Sequence, residues 1–125
     1  MVPFSRLKSA VVVYHKKNAF EVLGTFTLGA SSNGIAPLTK NVQLSVGDFF
    51  VNIPPDSFKK AWFGGFVFTD PANKFGMEIQ PLSRNNYVFA ANKAGATPGS
   101  NNPAVVTLTI GDDSGHASAP VYILP

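Results

Sequence analysis

The stretch Val105–Gly115, VVTLTIGDDSG, runs an alternating strand straight into two aspartates. Neighbouring carboxylates are candidate ligands for a hard cation such as Ca²⁺, which takes about six to eight oxygens, usually from carboxylates spaced so that one loop wraps the ion. GDDSG lacks the Asp-x-Asp-x-Asp-Gly register of such loops, and adjacent side chains diverge on extended backbone. Asp112 and Asp113 would therefore hold calcium only with help from elsewhere, for instance from Asp48, Asp70 or backbone carbonyls. A phosphate cradle is disfavoured, because two negative charges repel an anion. The reading that asks least is a turn in which the Asp side chains accept backbone N–H bonds and Gly111 and Gly115 supply positive φ.

A second chemically suggestive stretch is Ser57–Phe66, SFKKAWFGGF. Trp62 and Phe63 stand beside Lys59 and Lys60. Exposed aromatic rings stack on the C–H face of a sugar, and Trp is a frequent anchor in protein interfaces. This makes Trp62, Phe63, Lys59 and Lys60 the candidate contact residues for a polysaccharide or for another protein domain. Strict alternation, however, sets Trp62, Gly64 and Phe66 on one face, and partial burial is the usual state of Trp. The expectation is that Trp62 joins Phe66 inside.

Catalytic groupings are absent from the spacing. His15 and His116 have no His or Cys partner at a zinc-binding interval, and Ser114, His116 and Asp113 stand too close in sequence to adopt the orientation of a triad. Glu21 and Glu78 are the only glutamates, both at outward strand positions. No catalytic residues and no cofactor are expected, calcium being the one ion considered, and the chain reads as a non-catalytic structural or adhesive module, a carbohydrate-binding module using surface aromatics being the alternative.

The charge of +3 is unevenly distributed. Residues 1–18 carry Arg6, Lys8, Lys16 and Lys17 and no acid, whereas residues 19–125 carry six basic and seven acidic groups. The folded part thus lacks the clustered Lys and Arg that nucleic acid requires. The apolar run Ala10–Tyr14 is too short for an export signal or a membrane span. Residues 1–18 read as a basic leader or as an extra strand formed by Val11–Tyr14, and residues 19–125 as one domain. With no cysteine, there are no disulfides and no thiolate chemistry. If the chain is a piece of a longer protein, an extracellular or cell-surface location is favoured.

What must position these residues is a set of strands. Apolar side chains recur every second residue in FEVLGTFTLG, VQLSVG, FFVNI, FVF, FGMEI, YVFAA and VVTLTI, with Gly, Pro, Asn and Asp between the runs. Period two with such punctuation predicts half-buried antiparallel strands. Phe, with 11 copies, fills the gap of about 10 Å between two stacked sheets. The fold expected is an all-β antiparallel sandwich of about 7–9 strands, a β-barrel being the alternative. The expected core is Phe20, Val22, Phe26, Leu28, Val42, Leu44, Val46, Phe49, Val51, Ile53, Phe66, Phe68, Phe75, Met77, Ile79, Tyr87, Phe89, Val106, Leu108 and Ile110. Asn92–Pro103 reads as a mobile connector. Few charges guard the strand edges, so a dimer is open to the chain although its oligomeric state is not written in the sequence.

Asn41–Pro55 echoes Ala104–Pro120: each is an alternating strand, then Gly-Asp, then a stretch ending in Pro. A true duplication would put Gly47 and Gly111 at equivalent corners, while chance repetition of a strand followed by Gly-Asp is the simpler explanation. NPAVVTLTIGDDSG, together with VQLSVGDFFVNIPPDSFKK and GGFVF, also resembles a β-rich module of large, often repeat-bearing bacterial proteins. The shared signature is Asn-Pro-x-x-Val-x-Leu-x-Ile-Gly-Asp-Asp, over residues of roughly 19–118. The chain departs from that group at Pro54–Asp56, where a small residue and Gly are usual. The resemblance implies a bacterial, non-enzymatic module and supplies no active site.

Overall fold

The computed structural model describes residues 1–125 and contains twelve strands, two short 3₁₀ turns and no α-helix. In chain order the strands are β1 (Val2–Pro3), β2 (Arg6–Tyr14), β3 (Ala19–Thr27), β4 (Val42–Val46), β5 (Phe49–Ile53) and β6 (Lys59–Lys60). They continue with β7 (Phe66–Asp70), β8 (Phe75–Ser83), β9 (Asn86–Ala94), β10 (Ala104–Ile110), β11 (Asp113–Ala119) and β12 (Val121–Leu124). Five strands form one sheet in the order β1-β11-β10-β4-β5, and seven form the other in the order β12-β2-β3-β9-β8-β7-β6. The two sheets make an open sandwich rather than a barrel. Pairing is antiparallel except at one edge of each sheet, where β1 lies parallel to β11 and β12 parallel to β2. No helix is long and apolar enough to cross a membrane.

Each of the seven alternating runs is a strand. The additional ones have physical reasons for being harder to see. In β11 the residues at alternate positions Gly115, Ala117 and Ala119 are small, so the alternation carries no apolar signal. In β2 the basic residues Arg6 and Lys8 precede three consecutive valines, and Val11 and Val13 are buried. Val11 pairs with Val22 and Val13 with Phe20, which makes this basic segment a strand of the larger sheet.

Fifteen of the twenty expected core residues are buried, and Phe49, Val51, Phe66, Phe68 and Tyr87 are half-buried against them. Four of these five lie on β5 and β7, at or next to a sheet edge, where one flank lacks a neighbour. Phe58, Ala91, Ala104 and Ala119 join the core as well. The aromatic centre is Phe26, whose ring stacks on Phe4 at 4.7 Å and on Tyr87 at 5.2 Å.

The echo between the two Gly-Asp segments is structural. Val46 pairs with Phe49 across Gly47-Asp48, and Ile110 pairs with Asp113 across Gly111-Asp112, giving two hairpins with two-residue loops. Gly47 has φ +58° and Gly111 φ +60°, the first-position glycine of a type II′ turn. The Gly47 N–H donates to the Val105 carbonyl and the Gly111 N–H to the Asn41 carbonyl. These bonds are equivalent, since Gly111 and Val105 lie 64 positions after Gly47 and Asn41. The strands β2–β6 and β8–β12 follow one itinerary: a hairpin in the larger sheet, a hairpin in the smaller, then a return. The halves meet antiparallel where β3 pairs β9 and β4 pairs β10. Gly115, expected at positive φ, is instead extended within β11 beside the Phe4 ring.

The segment expected to be a mobile connector is strand as far as Ala94, and its remainder is tied down. Pro98 accepts a hydrogen bond from the Asp48 N–H. The Asn102 side chain bonds both the N–H and the carbonyl of Val121 at 3.1 Å.

Candidate functional site

Trp62 is not in the core. It is 96% exposed, because the alternation that would turn it inward ends before it. Strand β6 stops at Lys60, and the Ala61 N–H donates to Gly65 to close a loop in which the Gly64 N–H returns to Ala61. Gly64 has φ +89° with open space around it. Phe66, on the following strand, is half-buried and packs on the core as expected.

The hairpin carries all four expected contact residues, with Lys59 and Lys60, neighbours on β6, facing opposite sides of the sheet. Lys59 pairs with Val67 and Lys60 with Phe66, and both lysines are exposed. The Lys60 ammonium lies 5.5 Å from the centre of the Phe66 ring, so a cation–π contact holds its stem. Phe63 stands edge-on to Trp62, with ring centres 5.8 Å apart and planes at 78°. Phe63 therefore braces the indole rather than extending it into a two-ring platform. One broad aromatic face is left in water.

The two aspartates of the second hairpin part company. Asp112 is exposed on the turn, whereas Asp113 is buried at the end of the sandwich and its Oδ1 has no hydrogen-bond partner. No three His, Cys, Asp or Glu side chains gather closely enough to hold a metal. Asp113 lies near Tyr87, whose phenol pKa is raised first by burial and then by the negative charge of Asp113. The equivalent position in the first half of the chain is Phe49.

A buried carboxyl oxygen without a partner costs about 1–3 kcal/mol, and replacement by an apolar residue of similar size is commonly neutral or favourable. Asp113→Val is thus expected to stabilise the fold by about 1–3 kcal/mol in urea denaturation. It should also bring the Tyr87 phenol partway back towards its ordinary pKa, read from phenolate absorbance, since burial remains when the charge is removed. Loss of stability with an unmoved Tyr87 titration would show that the carboxyl has a partner.

A groove that sequence spacing did not disclose crosses the outer face of the larger sheet. Its volume is about 610 Å³ and its walls include Glu21, Leu23, Val67, Thr69, Glu78 and Asn92. Cross-strand register explains the hollow. Glu21, Asn92, Gly76 and Thr69 form one row, and Leu23, Ala90, Glu78 and Val67 the next, so the small Gly76 and Ala90 lie between larger residues. The only two glutamates of the chain thereby reach one groove from strands on either side of β9. Strand and residue spacings put their Cα atoms roughly 12 Å apart. Glu21 also accepts a hydrogen bond from the Tyr14 hydroxyl at 3.1 Å, and this bond is the main reason the Tyr14 phenol pKa is raised. The outward direction of Glu21 and Glu78 was legible from alternation, whereas their convergence depends on which strands pair.

His15 and His116 are exposed, and neither lines the groove. Comparison with protein-family models, with curated proteins and with solved structures finds no match to this chain.

Proposed function

We propose that this chain is a non-catalytic adhesive module that holds a polysaccharide through the Trp62 hairpin, with acidic sugars preferred. The observation that carries the reading is the 96% exposure of Trp62. Trp is highly buried on average, so an indole left almost wholly in water is a candidate anchor for a partner. A single free indole face matches one pyranose ring. Lys59 and Lys60 stand three and two positions before it and favour uronate groups over neutral sugars. An extracellular or cell-surface location and a bacterial origin accord with this reading.

Affinity electrophoresis in gels containing a uronate-rich polysaccharide tests it. The chain is expected to be retarded, and Trp62→Ala to migrate freely, with affinity reduced by about 2 kcal/mol, roughly thirtyfold. Its thermal midpoint should equal that of the unaltered chain, because an exposed side chain contributes little to the core. Lys59→Ala with Lys60→Ala should weaken retardation mainly at low salt. Equal migration of Trp62→Ala and the unaltered chain would remove Trp62 as the contact.

A second reading, a glycoside-cleaving enzyme, has one observation in its favour: Glu21 and Glu78 line the same groove. Paired carboxylates are what such hydrolysis requires. Release of reducing ends from the same polysaccharide, abolished by Glu78→Gln, would establish it in place of adhesion alone.

A further inference from the structure

Four strands lie at sheet edges in this sandwich: β1, β5, β6 and β12. Edges offer unpaired backbone groups, and proteins ordinarily blunt them by shortness, proline, charge or a covering group. Two of the four are blunted here and a third is half blocked. Strand β1 has two residues, one of them Pro3, and β6 has two, both lysine. On β12, four residues long, the outward N–H and carbonyl of Val121 are occupied by the Asn102 side chain, which leaves only Ile123 facing out. Strand β5 has none of these devices. It is Phe-Phe-Val-Asn-Ile, five residues without charge or proline, and Phe50 on its outer face is 61% exposed. Its equivalent in the second half, β11, is covered along this same edge by β1.

We infer that β5 pairs antiparallel with β5 of a second copy of this chain, joining two five-stranded sheets into one across a twofold axis at Val51. The backbone register selects this partner. Phe49, Val51 and Ile53 direct their N–H and carbonyl groups to β4, since Val46 and Phe49 close the hairpin. Phe50 and Asn52 therefore direct theirs outward, and neither takes part in any backbone hydrogen bond beyond the strands. In an antiparallel pair centred on Val51, Phe50 faces the partner's Asn52 and Asn52 faces the partner's Phe50. All the free donors and acceptors are then matched. Sliding the axis to Phe50 would set Asn52 against Asp48, whose N–H is already given to Pro98. Sliding it to Asn52 would set Phe50 against Pro54, which has no N–H. One register is left, it is self-complementary, and it brings no charges face to face.

Sedimentation equilibrium and light scattering on the full chain test the inference. A dimer is expected for the unaltered chain. Phe50→Lys, and independently Asn52→Lys, should raise its dissociation constant by about tenfold or more by placing a charge at the pairing edge. Far-ultraviolet dichroism should show each variant still folded. The chain has no cysteine, so single-cysteine variants report the register. Val51→Cys should form a disulfide-linked dimer on oxidation, because Cα atoms facing across a non-hydrogen-bonded pair lie about 4.5 Å apart. Tyr122→Cys, on β12, should not. A monomer up to millimolar concentration overturns the inference, as does a dimer unaffected by both lysine substitutions or cross-linked through Tyr122→Cys.

Discussion

Phe26→Ala is expected to destabilise the sandwich by about 3–5 kcal/mol, a large share of the 5–15 kcal/mol that holds a domain of this kind together. Phe26 is 1% exposed, and it lies where three parts of the chain meet. Its neighbours in the ladder are Leu7 on β2 and Tyr87 on β9. Phe4, delivered by the segment after β1, stacks on it at 4.7 Å, Tyr87 stacks at 5.2 Å, and Phe89 tilts against it at 6.1 Å. Truncation leaves a cavity bounded by three rings, which cannot all collapse into it. Equilibrium denaturation in urea measures the effect. Phe26→Leu keeps most of the volume and should cost much less. A loss below about 1 kcal/mol for Phe26→Ala would mean that the ring cluster is not the centre of the core.

Gly47→Ala should cost roughly 2–5 kcal/mol, and Gly111→Ala only about 1–2 kcal/mol, although the two glycines have nearly the same φ. The left-handed backbone penalises any side chain at either site. The difference comes from what covers each turn. A Cβ at Gly47 would strike the backbone carbonyl of Pro98, which belongs to a loop pinned by its bond from Asp48. A Cβ at Gly111 would meet the Lys40 side chain at 3.2 Å, and that chain gives way with a small shift. Equal losses in matched denaturation curves would mean that the Pro98 loop is not held against the turn.

These two sites show how far the sequence could be read. Alternation located the strands because apolar residues on half-buried strands must recur every second position. It also placed Phe26 and Phe89 inside. It failed at Trp62 because parity holds only while the chain stays extended, and the loop from Ala61 to Gly65 resets it. It was silent on β11, where small inward residues leave no apolar signal. The GDDSG stretch is legible as a turn that ends a strand, and the structure makes it a hairpin that also begins the next one, with Asp113 turned inside. The Gly-Asp echo was visible, but only the paired bonds from Gly47 and Gly111 distinguish a duplicated half from chance. The groove that joins Glu21 to Glu78 was not legible at all, because sequence spacing does not reveal that β9 lies between β3 and β8.

The Trp62 hairpin and the β5 edge both present exposed side chains that the core does not need. On the proposed reading the Trp62 loop is a contact at one margin of the larger sheet, and β5 is a pairing edge on the smaller. Dimerisation through β5 would present two Trp62 hairpins together, and a polysaccharide long enough to span both would gain avidity without any new contact.

The most direct test is the fluorescence of Trp62, the only tryptophan of the chain, during titration with soluble neutral and uronate-rich polysaccharides. The account predicts emission close to that of a water-exposed indole and open to an aqueous quencher. It further predicts a saturable blue shift with the acidic polymer, together with protection from the quencher. A blue-shifted, quencher-protected emission from the free protein would contradict the exposure on which the account stands. An exposed indole that no polysaccharide alters would contradict the proposed ligand.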